Sequence, residues 1–323
     1  MDQYDRAAGV VIASAAGDAL GAPHEFGPPL ADSFPLKMTG GGAFNWGAGE
    51  WTDDTQTALA ILVPLARHEE DLVGSVAKNL IDWMASNPAD VGNQTRAVLT
   101  RAIRDDRDLV EVTAEWAARN PDASGNGSLM RTGPVALLGG DRTVRAEVAS
   151  ALSALTHASE EAREACILWT DACARAITRP DNGPMDWIDH VREGVGLLAP
   201  ERRGRWNLYL DETTGPRDHR TNGYVVAALQ DALAALATTP VPFDHPHLHL
   251  RRAIERAVRT GGDTDTVAAI CGALAGAYWG ASAVPVEWRE ALNGYRIRGE
   301  GVLVASDLER WVSDARAAGP GPA

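Results

Sequence analysis

Cysteine is scarce in this chain: three in 323 residues, Cys166, Cys173 and Cys271. Their spacing is not that of a zinc site. Cys166 and Cys173 fall seven apart on one face of an expected helix, and Cys271 lies inside an apolar one. All three read as small buried residues in a reducing compartment. Positive charge is short as well, with 30 Lys and Arg against 44 Asp and Glu and a formal net charge of −14. Nucleic acid and anionic membrane both require a basic face, so neither is an expected partner. A small anionic ligand stays possible in principle, because bound cations and helix N-termini supply local positive potential. The start Met1-Asp2-Gln3-Tyr4-Asp5-Arg6 is acidic where a secretory signal is positive, and a cytoplasmic location is expected.

Strongly hydrophobic runs are missing too. Val267 to Val286 carries no charge and has the length of a membrane span, but it is mostly Ala and Gly and Pro285 ends it. It reads as a buried central helix, in which Gly272, Gly276 and Gly280, four apart, let a second helix approach closely. Strand-type alternation is absent, and Pro and Gly breakers fall between segments of helical period. Those segments run from Tyr4 to Ala16, Ala58 to Leu65, Asp71 to Ser86, Gln94 to Arg104, Asp108 to Arg119 and Leu129 to Leu138. They continue from Val144 to Leu155, Glu160 to Ile177, Asp186 to Leu198, Tyr224 to Ala237, His247 to Val258, Thr266 to Gly280 and Leu308 to Ala318. The expected fold is all-α, one compact multi-helix domain over residues 1–318, with 319–323 a disordered tail. At 45% hydrophobic residues the chain can bury a substantial core. A long Gly- and Pro-rich loop spans Gly27 to Glu50, with Glu25 where a lid would begin.

Two acidic clusters stand out. Asp263-Thr264-Asp265-Thr266 follows paired glycines and precedes a helix, and Thr52-Asp53-Asp54-Thr55 precedes another. Asp and Thr at such positions are ordinarily helix caps. Both clusters hold more oxygen than capping needs, and adjacent ionised carboxylates repel. Two of them converging would make an all-oxygen site for one or two hard cations. A third element, Gly125-Asn126-Gly127-Ser128-Leu129-Met130-Arg131, feeds an expected helix start and suits a phosphate. His157 can face a ligand or bond structurally. His245-Pro246-His247-Leu248-His249 lacks the carboxylate or Cys company of a metal site and reads as a solvated loop.

Taken together with Gly17-Asp18-Ala19-Leu20-Gly21, Glu25 and Thr156-His157, these motifs resemble the ADP-ribosylglycohydrolase family; they stand in family order between residues 17 and 266. The resemblance implies an all-α fold and a binuclear Mg²⁺ or Mn²⁺ centre ligated by Thr52, Asp53, Asp54, Asp263, Asp265 and Thr266. It implies that Glu25 is the acidic residue of a mobile loop near the ribose. Asn126, Gly127, Ser128, Leu129, Met130 and His157 would line the ADP-ribose site. The implied activity is metal-dependent hydrolysis of the glycosidic bond between ADP-ribose and an acceptor, with Glu25 or an Asp among Asp53, Asp54, Asp263 and Asp265 handling the proton. The implied partner is an ADP-ribosylated protein or ADP-ribose conjugate, with protein arginine the first choice of acceptor. Many arginine-type members follow the histidine with His and Pro, whereas Ala158-Ser159 stands here. Serine-linked or small ADP-ribose adducts, hydrolysis of another nucleotide or phosphate ester, and a catalytically silent ADP-ribose-binding module are the other readings.

Overall fold

The structure, a computed structural model, describes residues 2–180, 183, 185–215 and 221–317. Among them are fourteen α-helices: α1 Gln3–Gly21, α2 Asp53–Ala66, α3 Leu72–Ala85, α4 Asn93–Asp105, α5 Leu109–Arg119, α6 Arg142–Ala154 and α7 Glu160–Thr178. They continue as α8 Trp187–Arg192, α9 Pro200–Asp211, α10 Val225–Thr238, α11 Leu248–Val258, α12 Thr264–Trp279, α13 Val286–Ala291 and α14 Ala305–Ala317. The strands are two residues each, β1 Asn293–Gly294 and β2 Leu303–Val304, paired antiparallel. The proposed tail, residues 319–323, lies outside the described residues.

The architecture follows from one pair of helices, α1 and α12, which run antiparallel at the centre. Small residues on both allow contact at backbone distance. A Cβ added to Gly17 would stand 2.2 Å from Ala268 O, and one on Gly272 would stand 2.2 Å from Ala13 O. Gly9 and Gly276 face one another with the same lack of space. Every residue of α12 is buried, as expected for a central helix, and no described helix is long and apolar enough to cross a membrane. Gly280 at φ +82° ends α12. Around this pair, α7, α10 and α11 pack on α12, and α2 and α14 pack on α1.

The helix α2 contains Pro64, which cannot donate to Ala60 O. The Asn79 side-chain amide of α3 donates to that carbonyl instead (3.1 Å). The three cysteines are free and buried.

Three expectations need correction. Leu129 to Leu138 is not an α-helix: Gly133 and Pro134 interrupt it, and the chain forms turns and a 3₁₀ segment, Gly133–Leu137. Asp186 to Leu198 divides into α8 and a 3₁₀ turn, Glu193–Leu197, at Gly194 and Gly196. Of the three closely spaced histidines, His249 is no part of a solvated loop; it is buried in α11, stacked on Trp187 and bonded to Leu236 O (3.1 Å). The helix α9 had no sequence signal because it buries little beyond Trp206 and Leu210. Glu164 holds it by accepting from Arg202 Nε and Trp206 Nε1, each at 2.7 Å.

The central contact has a direct test. Gly272→Val forces a side chain into the backbone of α1 and is expected to cost about 3 kcal/mol or more, at the upper end of overpacking effects. Gly204→Ala, in α9 with open space around it, is expected to gain about 0.5–1 kcal/mol. Denaturant titration of both variants checks the pair; a neutral Gly272→Val would show that the helices are not held at this distance.

Candidate active site

The two acidic clusters meet where the last turn of α1 lies on the first turn of α12. Gly21 makes that contact, its absent Cβ being 2.5 Å from Asp265 Cα. Asp18, one turn earlier on α1 and fully buried, turns its carboxylate to the start of α2. It accepts from Thr52 N (3.0 Å), Thr55 N (3.0 Å) and Thr55 Oγ1 (2.6 Å). The Thr52 side chain adds an N-cap bond from Asp54 N (3.4 Å). Capping of α2 is therefore carried by Thr52 and Asp18, which leaves Asp53 and Asp54 free for something else. The same holds at α12, where the Asp263 side chain makes no capping bond.

Thr266 Oγ1 joins the clusters by donating to Asp54 Oδ2 (3.3 Å), which also accepts from Thr52 Oγ1 (3.3 Å). Asp54 Oδ1 is buried without a partner. Asp265 keeps Oδ1 on Thr266 N (2.9 Å). Carboxylate oxygens of Asp18, Asp54 and Asp265 lie within 4.8 Å of one another, and so do those of Glu25, Asp263 and Asp265. Two oxygen groups sharing Asp265 could hold metal ions. Asp18 is the weaker ligand of its group because its oxygens are already spent on the α2 N-terminus.

Glu25 arrives through the chain that leaves α1. Phe26 N donates to Gly262 O (2.7 Å) and Gly262 N to Gly27 O (2.9 Å), which clips Glu25 beside the Gly261-Gly262-Asp263 turn. Phe26 has φ +63°, a conformation that a bulky residue adopts only when its surroundings impose it. Glu25 Oε2 is buried without a partner. Burial, then the negative charge of Asp263, pushes the Glu25 carboxyl up to about 9. Burial also raises Asp53, Asp54 and Asp265 well above the usual carboxylate range, and each feels its acidic neighbours.

Glu25, Asp53, Asp263, Asp265 and Thr266 floor a cavity of about 540 Å³, a volume typical of small-ligand sites, whereas Asp18, Thr52 and Asp54 are buried and do not line it. Its opposite wall includes Gly125, Asn126, Gly127, Met130 and His157. Asn126 Nδ2 donates to Asp263 Oδ2 (2.7 Å), tying the glycine loop to the acidic floor. Ser128 and Leu129 are buried behind this wall and do not line the cavity; Ser128 Oγ accepts from Ser153 Oγ (2.9 Å). His157 both lines the cavity and bonds structurally, through Thr156 Oγ1 (2.8 Å). Burial, then Arg131, lowers its pKa to about 3, so the ring is neutral. Arg131, fully enclosed, donates to Gly127 O (3.1 Å) and Thr156 Oγ1 (2.8 Å) and locks the two motifs together.

Two residues of the site had escaped the sequence reading, and a third had been quoted only as part of a motif. Asn222 accepts from Asp263 N (3.0 Å) and donates to Gly261 O (3.0 Å); an Asn-Gly before a helix is too common to have marked it. Asp90 lines the cavity, its carboxyl raised to about 6 by burial and then by Asp263; it sits in a short Pro-Ala-Asp loop without any motif. Asp18 stood in the Gly17-Asp18-Ala19-Leu20-Gly21 motif without a role of its own. The start of α4, at Gly92, also faces the cavity and lacks a side-chain cap, so its first N–H groups offer an anion cradle.

The ADP-ribosylglycohydrolase sequence model matches residues 1–318. The chain is 31% identical over 295 residues to the ADP-ribosylarginine hydrolase Tri1 of Pseudomonas putida (strain GB-1), covering 88% of this chain and 74% of that protein. It is 31% identical over 298 residues to the ADP-ribosyl-[dinitrogen reductase] glycohydrolase of Rhodospirillum rubrum, covering 90% and 91%. A solved ADP-ribosylglycohydrolase-related protein complex shares 26% identity and superimposes with a TM-score of 0.76 over 98% of both chains. With the all-α fold and the paired acidic helix starts already in place, these matches make the chain a member of the ADP-ribosylglycohydrolase family.

Proposed function

We propose that this protein hydrolyses the bond between ADP-ribose and an arginine side chain of a modified protein. The carrying observation is the pair of carboxylate groups sharing Asp265: Glu25, Asp263 and Asp265 line a cavity walled by the Gly125–Gly127 loop, and Asp54, with Oδ1 buried and unpartnered, lies behind Asp265 with Asp18. Similarity to the ADP-ribosylarginine hydrolase Tri1 supports arginine as the acceptor, and similarity to the ADP-ribosyl-[dinitrogen reductase] glycohydrolase supports a protein carrier.

The donor set is all oxygen, which suits Mg²⁺ or Mn²⁺. Thr52, Asp53, Asp54, Asp263, Asp265 and Thr266 would hold two such cations, and the orphaned Asp54 Oδ1 fits a ligand role. When bound, these cations act as Lewis acids toward sugar hydroxyls and water. The chain's own residues do the rest. Asn126, Gly127, Met130 and His157, with the free N–H groups of α4, hold the nucleotide part. Asn126 also fixes the orientation of Asp263. Glu25 Oε2 is the proton-handling atom, because it is buried without a partner beside Asp263 and Asp265 at the cavity floor. Water adds to the ribose C1″, the C1″–N bond breaks, and the leaving guanidine takes a proton. Asp90, raised to about 6, stands ready to accept the proton from water.

The reading is tested by release of free ADP-ribose from arginine- and serine-modified peptides, with Mg²⁺, with Mn²⁺ and with chelator. Metal-dependent release from the arginine peptide is expected; release from neither would overturn the assignment. Asp265→Ala is expected to abolish turnover, and wild-type turnover in that variant would remove the metal assignment. Glu25→Gln is expected to lower kcat by about 10²–10⁴-fold, the range of general acid–base contributions, with a much smaller change in ADP-ribose Kd.

Thermal melting supplies a pH test. Glu25, Asp18 and Asp90 all have raised pKa values, about 9, 6 and 6. The metal-free folded chain therefore holds more protons than the unfolded chain and loses stability as pH rises from about 4 toward 9. Cations compete with those protons, so Mn²⁺ should raise the Tm more at about pH 8 than at about pH 5. A gain that shrinks with pH would contradict the assignment.

A further inference from the structure

A second cavity, of about 630 Å³, adjoins the first and shares Phe44 with it. It lies between the Phe44–Glu50 part of the long loop and the turn that joins β1 to β2. Its wall includes Trp46, Glu50, Tyr295, Arg298 and Glu300. It is also lined by Ala89, next to Asp90, and by Gln56, one turn after Asp53.

An aromatic ladder connects the two spaces. Phe26 and Phe44 have ring centroids 6.2 Å apart, and Phe44 and Trp46 are 5.9 Å apart. Phe26 and Phe44 line the first cavity, Phe44 and Trp46 the second. Phe26, beside Glu25, is 67% exposed and held at positive φ, an unusual place for a large apolar ring unless something covers it. Trp46 is 7% exposed, yet its buried indole N–H has no acceptor. Such orphans are rare in folded proteins and point to a missing partner.

Charge narrows the occupant. Glu300 is paired with Arg296 (2.6 Å), and Arg298 donates to Asn87 O (3.0 Å). Glu50 Oε2 accepts only the Gly47 N–H (2.7 Å), and Glu50 has no ion pair among the described residues. The space thus offers an edge-on and a tilted aromatic pair, the Glu50 carboxylate without an ion pair, the Arg298 guanidinium held on Asn87 O, and one unused N–H donor. A planar cation stacks on aromatic faces and forks onto a carboxylate, and a guanidinium does both better than an ammonium.

We propose that this second cavity is the acceptor subsite, which takes the arginine side chain and flanking peptide of the modified protein. The guanidinium lies along Phe26 and Phe44 at the mouth of the acidic site, Glu50 attracts the cationic peptide around it, and Trp46 Nε1 donates to a peptide carbonyl. This assignment rests on the hydrolase reading above and extends it to the leaving side of the scissile bond. The nucleotide side has its own wall, on the Gly125–Gly127 loop and α4, so the two halves of the substrate occupy separate cavities.

The test compares wild type, Glu50→Gln and Glu50→Lys. Glu50→Gln keeps an oxygen for Gly47 N–H and removes only the charge, so it separates charge from fold. KM for an ADP-ribosyl-arginine peptide is expected to rise about threefold in Glu50→Gln and about tenfold or more in Glu50→Lys, as for partly exposed ion pairs lost or reversed. The Kd of free ADP-ribose, measured by calorimetry, is expected to stay unchanged in both. Unchanged KM in both variants, with normal wild-type turnover, overturns the subsite and leaves the hydrolase assignment standing. A parallel rise in ADP-ribose Kd also overturns it, since Glu50 would then act through the whole site. Wild-type enzyme that cleaves a serine-linked peptide but not the arginine-linked one overturns the guanidinium assignment. Absence of cleavage of either removes the hydrolase reading, and the subsite with it.

Discussion

The backbone contact between α1 and α12 is the constraint on which the rest of the site depends. Gly9, Gly17, Gly272 and Gly276 remove the side chains that would separate the two helices, and the contact continues to Gly21 on Asp265. Because the helices are antiparallel, the end of α1 must lie on the start of α12. Asp18 is one residue from Gly17, so its carboxylate is delivered beside Asp265 and under the start of α2. Carboxylates repel at such distances and would not gather unaided. Packing of the central helices holds them together, so stability drawn from the core sustains an unfavourable local arrangement.

The cost of that arrangement shows in the titration of the cluster. Asp53, Asp54 and Asp265 are pushed upward by burial and then, in that order, by Asp90, Asp18 and Glu25, and Glu25 by burial and Asp263. Some relief comes from the starts of α2 and α12, whose dipoles present positive ends to the cluster. Arg131, the fully enclosed cation nearest in the site, is committed to Gly127 O, Leu152 O and Thr156 Oγ1. Its bonds hold the nucleotide wall in shape and do not neutralise the floor. Arg96 on the cavity wall offsets Asp90 in part, and Arg131 acts on Asp53 without bonding it; the remaining negative charge of the floor calls for protons or divalent cations.

Legibility in the sequence divided along the same lines. The helical class was readable because amphipathic period and breakers report local structure, and α12 was readable because its glycines recur every fourth residue. The acidic clusters were readable because Thr52-Asp53-Asp54-Thr55 and Asp263 to Thr266 contain more oxygen than a cap uses. What could not be read were groups whose role exists only after folding. Asn222 bonds Asp263 across 41 residues, and Asp90 enters the cavity from a loop with no local pattern. The segment after Ser128 was misjudged because apolar period outweighed Gly133 and Pro134. Ser128 itself was taken for a ligand contact because its motif runs on without interruption, whereas the chain turns there and sends it inward to Ser153.

The cavity system is also uneven in how it is built. The acidic floor rests on helix ends whose spacing is set by backbone contact, so a change of one methyl group at Gly17 or Gly272 would displace it. The Phe44–Glu50 wall rests on a loop tied by a few bonds, Gly41 with Trp46 and Trp51 N with Asn293 O. Side chains there can be exchanged without moving a helix. Rigid geometry is needed at the floor, where the proposed cleavage takes place, since small displacements of reacting groups cost rate heavily. Recognition of the acceptor, at the subsite proposed for it, tolerates a softer frame, because stacking and attraction to Glu50 depend less on exact placement than bond breaking does. A chain built this way can alter its choice of acceptor in the loop while the floor that does the chemistry stays where α1 and α12 put it.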